Sequence, residues 1–486
     1  MVSPLCRRGC RYNLANQLWS EIDWALFAAV EEVLRRGNVT GKAAPQVKRA
    51  LWCYALLVVL VTAASWILYW HKGDSLTRPL LTKKDQFSDL TSYAGKVAHL
   101  HGGAATLGSL GLPIYGYTVP TDAYVDKILI YSFPGHAVRF YLVFLAICIL
   151  GFALVAWRSV RSNRVARLSA AAAIAITAVL GYPLWFTADR GNIEGVVWAL
   201  TAAGLCLFLR RRYLGATVLI GIAASIKPFP MLLLLLLLRR RKYKEAALGL
   251  ATAVLLVIAS LTAMGPTPWK AYQDLKPGTS YYMRYYVMNL MPVEEERFLH
   301  SMLDGMKSAA LSVEMGGIRP HKAIGEIVKL REEPGGWHVV RTLVHIYPFV
   351  AIAGLGLLLA VFYKMPKLNQ VTALCVAVTL IPPSSGEYTL LALYLPFGAL
   401  LVFLVREVST GEAAFSYSSM LWLAVIYALL FSPLTFLMIY AGDAKLLLLL
   451  ALLFVAARSP MHSAYFGDPA NQDATRANSQ PRQSAA

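Results

Sequence analysis

The chain has 486 residues, of which 57% are hydrophobic and only 15% charged, and its formal net charge is +19; its mean hydropathy is +0.53. A water-soluble protein cannot hide that much apolar surface, so the class is a polytopic membrane protein. The positive charge falls in short clusters between apolar runs, the pattern of loops held on the cytoplasmic side rather than of a nucleic-acid-binding surface.

Residues 1–50 form a basic leader holding LWSEIDWALFAAVEEVLRR, whose apolar positions recur at helical spacing. It is expected to be a cytoplasmic amphipathic leader, lying on the inner membrane surface or folded onto the bundle. The first apolar run starts near Leu51 behind it, which argues against a signal peptide. Spans are then predicted near 51–70, 136–157, 168–187, 193–209, 213–226, 229–238, 246–264, 341–363, 370–383, 388–405, 418–439 and 444–457. A full crossing needs about 20 apolar residues. The pair at 213–238 is too short for two, and reads as half-depth helices meeting at Lys227-Pro228, where proline ends one helix and can start the next. Backbone facing lipid must satisfy its own hydrogen bonds, so the expected fold is all-α: a polytopic helical bundle of about 11–13 transmembrane or half-membrane helices.

The basic clusters KAAPQVKR, RSVRSNRVAR (158–167), RRR (210–212), RRRKYK (239–244), YKMPK (363–367) and Arg458 all fall on one side of this thread. With that side cytoplasmic, the polar segments 71–135, ADRGNIEG (188–195), SIKPFP (225–230), 265–340 and PPSSGEY (382–388) share the outer face. The membrane domain is expected over 51–458, with outer loops 71–135 and 265–340. Residues 459–486, rich in Ser, Ala, Asn, Gln and Pro, are expected to be a disordered cytoplasmic tail. Cys53, Cys148, Cys206 and Cys375 lie inside spans, and Cys6 and Cys10 have no second ligand pair nearby, so neither disulfides nor a zinc site is indicated.

The outer face carries the candidate chemistry. In DLTSYAGKVAHL, Leu90, Tyr93, Val97 and Leu100 recur at helical spacing, which predicts an interfacial helix in the first outer loop with Asp89 at its N-terminus. An aspartate there serves as a cap, a role compatible with catalysis because a helix end also fixes the carboxylate. Asp85 lies four residues earlier. WFTADRGNIEG places Arg190, Asn192 and Glu194 between two spans, either as a polar turn whose charges snorkel to water or as a phosphate contact made by the guanidinium fork. Lys227 stands at a helix break between apolar stretches, where an ammonium is costly unless it snorkels, meets an anion or faces a water-filled cavity. The long outer loop adds Arg284, His300, Ser301 and Lys307, and IPPSSGEYTLLALYLP adds Glu387 and Tyr388. A ring of cations with a few carboxylates at one face suits a lipid-linked phosphate.

The stretch RGNIEGVVWALTAAGLCLFLRRRYLGATVLIGIAASIKPFPMLLLLLLLRRR resembles the central signature of glycosyltransferase family 87, the polyprenyl-phosphate-mannose-dependent α-mannosyltransferases of bacteria, which have the GT-C membrane fold. Asp89-Leu90-Thr91-Ser92-Tyr93 resembles the family's Asp-(Phe/Leu)-x-x-Tyr motif, and YGYTVP, Tyr115 to Pro120, its Tyr-x-Tyr-x-Pro-Pro segment with the second proline missing. His300, Ser301 and Lys307 match a His-Ser-x-x-x-x-x-Lys motif, and PPSSGEYTLLALYLP a late Pro-x-Ser-x-(Glu/His)-Tyr segment. The likeness covers roughly residues 80 to 405, and residues 1–50 have no family counterpart.

The resemblance implies a GT-C-type bundle and an inverting transfer of a mannosyl unit from polyprenyl-phosphate-mannose to a hydroxyl of a glycolipid or glycan acceptor. Asp89 matches the family's base and Asp85 is the reserve. Arg190, Lys227, Arg284, His300 and Lys307 are the candidate cations for the leaving phosphate. Asn192, Glu194, Ser301 and Glu387 complete the candidate substrate contacts, with Tyr93, Tyr117 and Tyr388 against sugar or lipid head. No metal motif of the Asp-x-Asp kind stands out, so no metal and no cofactor is expected beyond the lipid-linked donor. The implied partners are that donor, the acceptor and membrane lipids, and the implied place is the bacterial inner membrane with the site on the periplasmic side. A transporter or flippase of a lipid-linked sugar is the rival reading, since it also needs an intramembrane lysine at a helix break. A non-enzymatic scaffold, with Asp89 only a cap, is the other.

Overall fold

The computed structural model describes residues 43–73, 78–80, 86–87, 89–90, 120–133, 136–160, 164–264, 266–283, 287–290, 297–315, 329–330 and 337–467. Among them the chain is helix and turn, save one isolated bridge between Leu299 and Gly386. Seven helices are long and apolar enough to cross a membrane, and five shorter apolar ones accompany them. The protein is an all-α polytopic membrane protein.

In chain order the helices are α1 (Ala43–Lys72), α2 (Pro120–Ser132), α3 (Ala137–Ser159), α4 (Arg164–Leu180), α5 (Tyr182–Arg190), α6 (Glu194–Leu209), α7 (Tyr213–Ile226) and α8 (Leu235–Arg239). There follow α9 (Tyr243–Met264), two loop helices α10 (Pro268–Tyr282) and α11 (Met302–Glu314), then α12 (His338–Phe362), α13 (Lys367–Leu380), α14 (Tyr394–Phe403), α15 (Tyr417–Leu430) and α16 (Ala441–Arg458). Every residue of α13 is buried, which makes it the central post. Around it Tyr54 of α1, Phe397 of α14, and Tyr427 and Phe431 at the end of α15 interlock, with ring centroids 4.6 to 5.6 Å apart. Helices α6, α7 and α9 approach closely on small residues: a Cβ on Gly221 would stand 2.5 Å from the Gly249 carbonyl oxygen. Such contacts replace the hydrophobic drive that lipid does not supply.

The break at Lys227-Pro228 is present. Helix α7 stops at Ile226, Lys227 is extended (φ −133°, ψ 131°), and a 3₁₀ turn (Phe229–Leu234) leads into α8. A residue before proline is excluded from the helical region by the ring's clash with its backbone. Other boundaries differ from the expected spans. The span expected at 370–383 ends as α13 at Leu380, before Pro382 and Pro383. The one expected at 418–439 ends as α15 at Leu430, and a 3₁₀ turn (Thr435–Tyr440) follows Pro433. Helix α2 falls within the loop expected at 71–135 and was not anticipated, while the interfacial helix expected from Asp89 onward lies, beyond Leu90, outside the described residues.

The basic clusters gather at one end of the bundle, where the tail is tied down. Buried Glu407 accepts hydrogen bonds from Ser463 Oγ (2.5 Å), Ala464 N (3.1 Å) and Tyr465 N (3.1 Å), and Lys367 Nζ donates to the Phe466 carbonyl (2.7 Å). Residues 459–467 therefore correct the expectation of a tail disordered from 459. Composition averaged over the whole segment concealed three donors converging on one buried carboxylate. Residues 468–486 and the leader up to 42 lie outside the described residues.

Towards the opposite end, Lys445 of α16 is ion-paired with Glu387, both of them buried, and its ammonium lies 4.9 Å from the Tyr182 ring centroid. Removing one member strands the other charge in an apolar interior. Lys445→Met is expected to destabilise the protein by about 3–5 kcal/mol, and Lys445→Met with Glu387→Leu to regain most of it. Thermal unfolding in detergent checks both; an unmoved midpoint in the single variant would show the pair to be dispensable.

Candidate active site

The site is built on the turn between α5 and α6. Helix α5 ends at Arg190, and Gly191 takes the left-handed conformation (φ 66°) that reverses the chain. A side chain does not fit there, since a Cβ on Gly191 would stand 3.0 Å from Leu90 Cβ. The segment before Asp89 docks on this turn through Phe87 N donating to the Asp189 carbonyl (2.7 Å).

That docking delivers the Asp89 carboxylate to two anchors. Arg190 holds it with both arms of its fork, Nε to Oδ2 (3.1 Å) and Nη2 to Oδ1 (3.2 Å), and Asn192 Nδ2 donates to Oδ2 (2.6 Å). Among the described residues, three of the four lone pairs of the carboxylate are taken, which leaves one on Oδ1. Asn192 is the joint of the site. Its Oδ1 accepts from Glu194 N (2.9 Å) and from Lys227 Nζ (3.4 Å), and its main-chain carbonyl accepts from Tyr141 Oη. These donors fix which end of the amide points where.

Lys227, carried to the site by the end of α7, is 2.8 Å from Glu194 Oε2, and the side chains are 26% and 11% exposed. Asp89 and Arg190 are 18% and 25% exposed, so the row of alternating charges is half open rather than sealed. Lys227 Nζ also faces the Tyr388 ring at 5.0 Å, and Arg190 the Phe186 ring at 5.9 Å; the two rings stack at 6.3 Å. An aromatic floor beneath two cations stabilises them through the ring quadrupole.

The structure thus brings together Asp89, Arg190, Asn192, Glu194, Lys227 and Tyr388. Asp85, Tyr93, Tyr117 and Arg284 lie outside the described residues. The remaining candidates take other positions. Glu387 turns inward to Lys445 and is not open to a substrate, because the 3₁₀ turn (Glu387–Leu393) points neighbouring side chains apart. His300 is buried, bonded through its main-chain N to Ser385 O (3.0 Å) and through Nε2 to Thr389 Oγ1 (3.2 Å). Burial, and then the Lys445 charge, push its imidazole down to about 3, so it is neutral at physiological pH and is not the cation expected. Ser301 caps α11, accepting from Asp304 N (3.1 Å). Lys307, 2% exposed, is committed to Asp304 (3.7 Å) and the Asn289 carbonyl (3.3 Å). This group clasps the long outer loop to residues 383–389 instead of adding cations to the row.

Asp122, in the first turn of α2, was missed. It shares the electrostatic field of Lys227, Glu194 and Asp89. Among the described residues its buried Oδ1 has no hydrogen-bond partner. Burial pushes its carboxyl up, Lys227 opposes this, and Glu194 and Asp89 add to it, to about 7. In the sequence it looks like an ordinary acid in a first turn, and only the docking of α2 on α7 and α9, with Ser260 Oγ 3.2 Å from Thr121 Oγ1, places it here.

Membrane helices converge here on a half-open row of carboxylates and cations. The model of glycosyltransferase family 87 matches residues 128–384, more than half of the chain, and the protein belongs to that family: it is an integral membrane glycosyltransferase. No curated protein and no solved structure matches it. The matched residues include the Arg190, Asn192, Glu194 and Lys227 row, whereas Asp89 and Asp122 lie upstream of them.

Because Gly191 supports the docking of Asp89, Gly191→Ala tests the geometry. A left-handed non-glycine residue costs roughly 1–2 kcal/mol, and an energy of that size changes a population about 5–30-fold. Glycosyl transfer is expected to fall by that factor while the helical circular dichroism is retained; full activity would show that Asp89 is not held from this turn.

Proposed function

We propose that the protein transfers a mannosyl unit, with inversion, from polyprenyl-phosphate-mannose to a hydroxyl of a glycolipid or glycan acceptor, with Asp89 as general base. The observation that carries this reading is the Asp89 carboxylate, clamped by Arg190 and Asn192 with one lone pair left on Oδ1, one side chain away from Lys227. Oδ1 takes the proton of the acceptor hydroxyl, and the acceptor oxygen bonds to C1 from the side opposite the phosphate. The C1–O bond to the phosphate breaks, and its electron pair leaves on polyprenyl phosphate. Lys227 and Arg190 offset the charge that gathers on that oxygen, and a fixed cation costs no reorganisation at the moment of transfer. The phosphate is a sufficient leaving group beside two cations, so this reading calls for no cofactor and no metal.

The lipid tail has a place as well. An apolar cavity of about 260 Å³ runs beside α6, lined by Phe152, Trp198, Tyr394 and Leu395. Trp198 lies one turn along α6 from Glu194, and the lining continues to Arg210 and Phe466 at the basic end of the bundle. With the basic end of the bundle cytoplasmic, the row faces the periplasm of a bacterial inner membrane, where a glycolipid or glycan acceptor is met, in a GT-C-type arrangement. Membership of a glycosyltransferase family favours this reading over a flippase of the same lipid-linked sugar.

The test is transfer of radiolabelled mannose from polyprenyl-phosphate-mannose to a lipid extract of the host, by wild type and Asp89→Asn. General bases contribute about 10²–10⁴-fold, so the variant should lose activity by that factor while keeping its fold, and the labelled product identifies the acceptor. Equal transfer by both would remove Asp89 from the mechanism, and a donor left untouched by wild type would remove mannose.

A further inference from the structure

Asp122 is a charged group beside the row that the transfer mechanism does not use. Among the described residues, the pairs Asp89 with Arg190 and Glu194 with Lys227 balance one another. An ionised Asp122 beside them leaves the cluster one charge negative, which opposes an incoming phosphodiester; a protonated Asp122 leaves it neutral. Its Oδ1 is out of contact with solvent and has no hydrogen-bond partner among the described residues. A buried polar atom left unpaired is destabilising, and a ligand that pairs it recovers that loss.

We infer that Asp122 is a positioning residue of the anion site, taking up one proton when the donor's phosphodiester binds and then donating a hydrogen bond from its carboxyl to a phosphate oxygen. The inference rests on the reading that a lipid-linked phosphodiester is the donor. The proton comes from solvent and ends on the Asp122 carboxylate, and no covalent bond to the ligand changes. Geometry supports the assignment. Helix α2 packs on α7 and α9, which puts Asp122 in the field of Lys227 at the end of α7, Glu194 at the start of α6, and Asp89. The outer half of α9, residues 253–264, carries no titratable side chain, and the first turn of α3 presents only the exposed Arg139, preceded by the exposed His136. On α2 itself the described neighbour is Tyr124. The raised affinity of Asp122 for its proton, with an apparent value of about 7, puts the uptake within the working range.

The sign follows from linkage. Below that value Asp122 already holds its proton and binding costs nothing extra. Above it the proton must be supplied, and affinity falls by up to about tenfold per pH unit. The probe is citronellyl-phosphoryl-mannose, a phosphodiester that keeps a single charge from pH 5 to 9, titrated without acceptor into the full-length protein in detergent. Wild type is expected to bind about 30-fold more weakly at pH 8.5 than at pH 6. Asp122→Asn, whose amide donates without titrating, should vary less than about twofold over the same range. Independently of any variant, binding to wild type at pH 7 in weak buffer should take up about half a proton, read by a pH dye. A pH slope unchanged in Asp122→Asn, or binding without proton uptake by wild type, overturns the inference and leaves the donor reading standing. No binding at any pH overturns the donor reading and the inference with it.

Discussion

The side-chain amide of Asn192 joins the Asp89 carboxylate, the Lys227 ammonium and the start of α6. One group donates to Asp89, accepts from Lys227 and accepts from the main-chain N of Glu194, so three chain segments far apart in sequence share a single joint. Its rigidity comes from the turn that carries it: the left-handed Gly191 on one side and the Tyr141 hydroxyl on its carbonyl on the other. The Asp89 carboxylate is held at this face through this joint and the Arg190 fork.

Depth in the membrane explains why the lysine is where it is. Helix α7 has 14 residues, or about 21 Å at 1.5 Å per residue, whereas the hydrocarbon core is about 30 Å thick. The helix therefore stops short of the far surface and delivers Lys227 to a recess instead of to open water. Non-helical backbone is tolerated at such a depth only where protein or a polar cavity surrounds it, and the Glu194, Asn192 and Tyr388 contacts are that surrounding. Small residues on α6, α7 and α9 let the short helix sit close against its neighbours.

Hydropathy and the basic clusters sufficed for the helical class, the run of spans and the break at Lys227-Pro228, because each is dictated by local chemistry: apolar length, charge placement, a proline. The Arg190 to Lys227 part of the site was legible for the same reason, being polar residues stranded at the ends of apolar helices. What escaped was set by partners distant in the chain. Glu387 and Tyr388 are adjacent in sequence and point to different neighbours, one to Lys445 and one to Lys227. His300 looks like a cation until its burial is known. Asp122 looks like a helix-start acid until α2 is docked. The nine residues after α16 read as tail until Glu407 is seen to collect them.

The pairing of Arg190 with Asp89 and of Lys227 with Glu194 has one more consequence, for what the enzyme ignores. An electrically balanced row offers little to a free anion diffusing past, because each cation would have to give up a carboxylate to receive it. A phosphate tethered to a membrane lipid arrives differently. For the proposed donor, an apolar tail would confine the phosphate beside the row, and confinement raises its effective concentration without any new contact. On that proposal, selectivity against soluble phosphate and sulfate is a matter of delivery as much as of recognition.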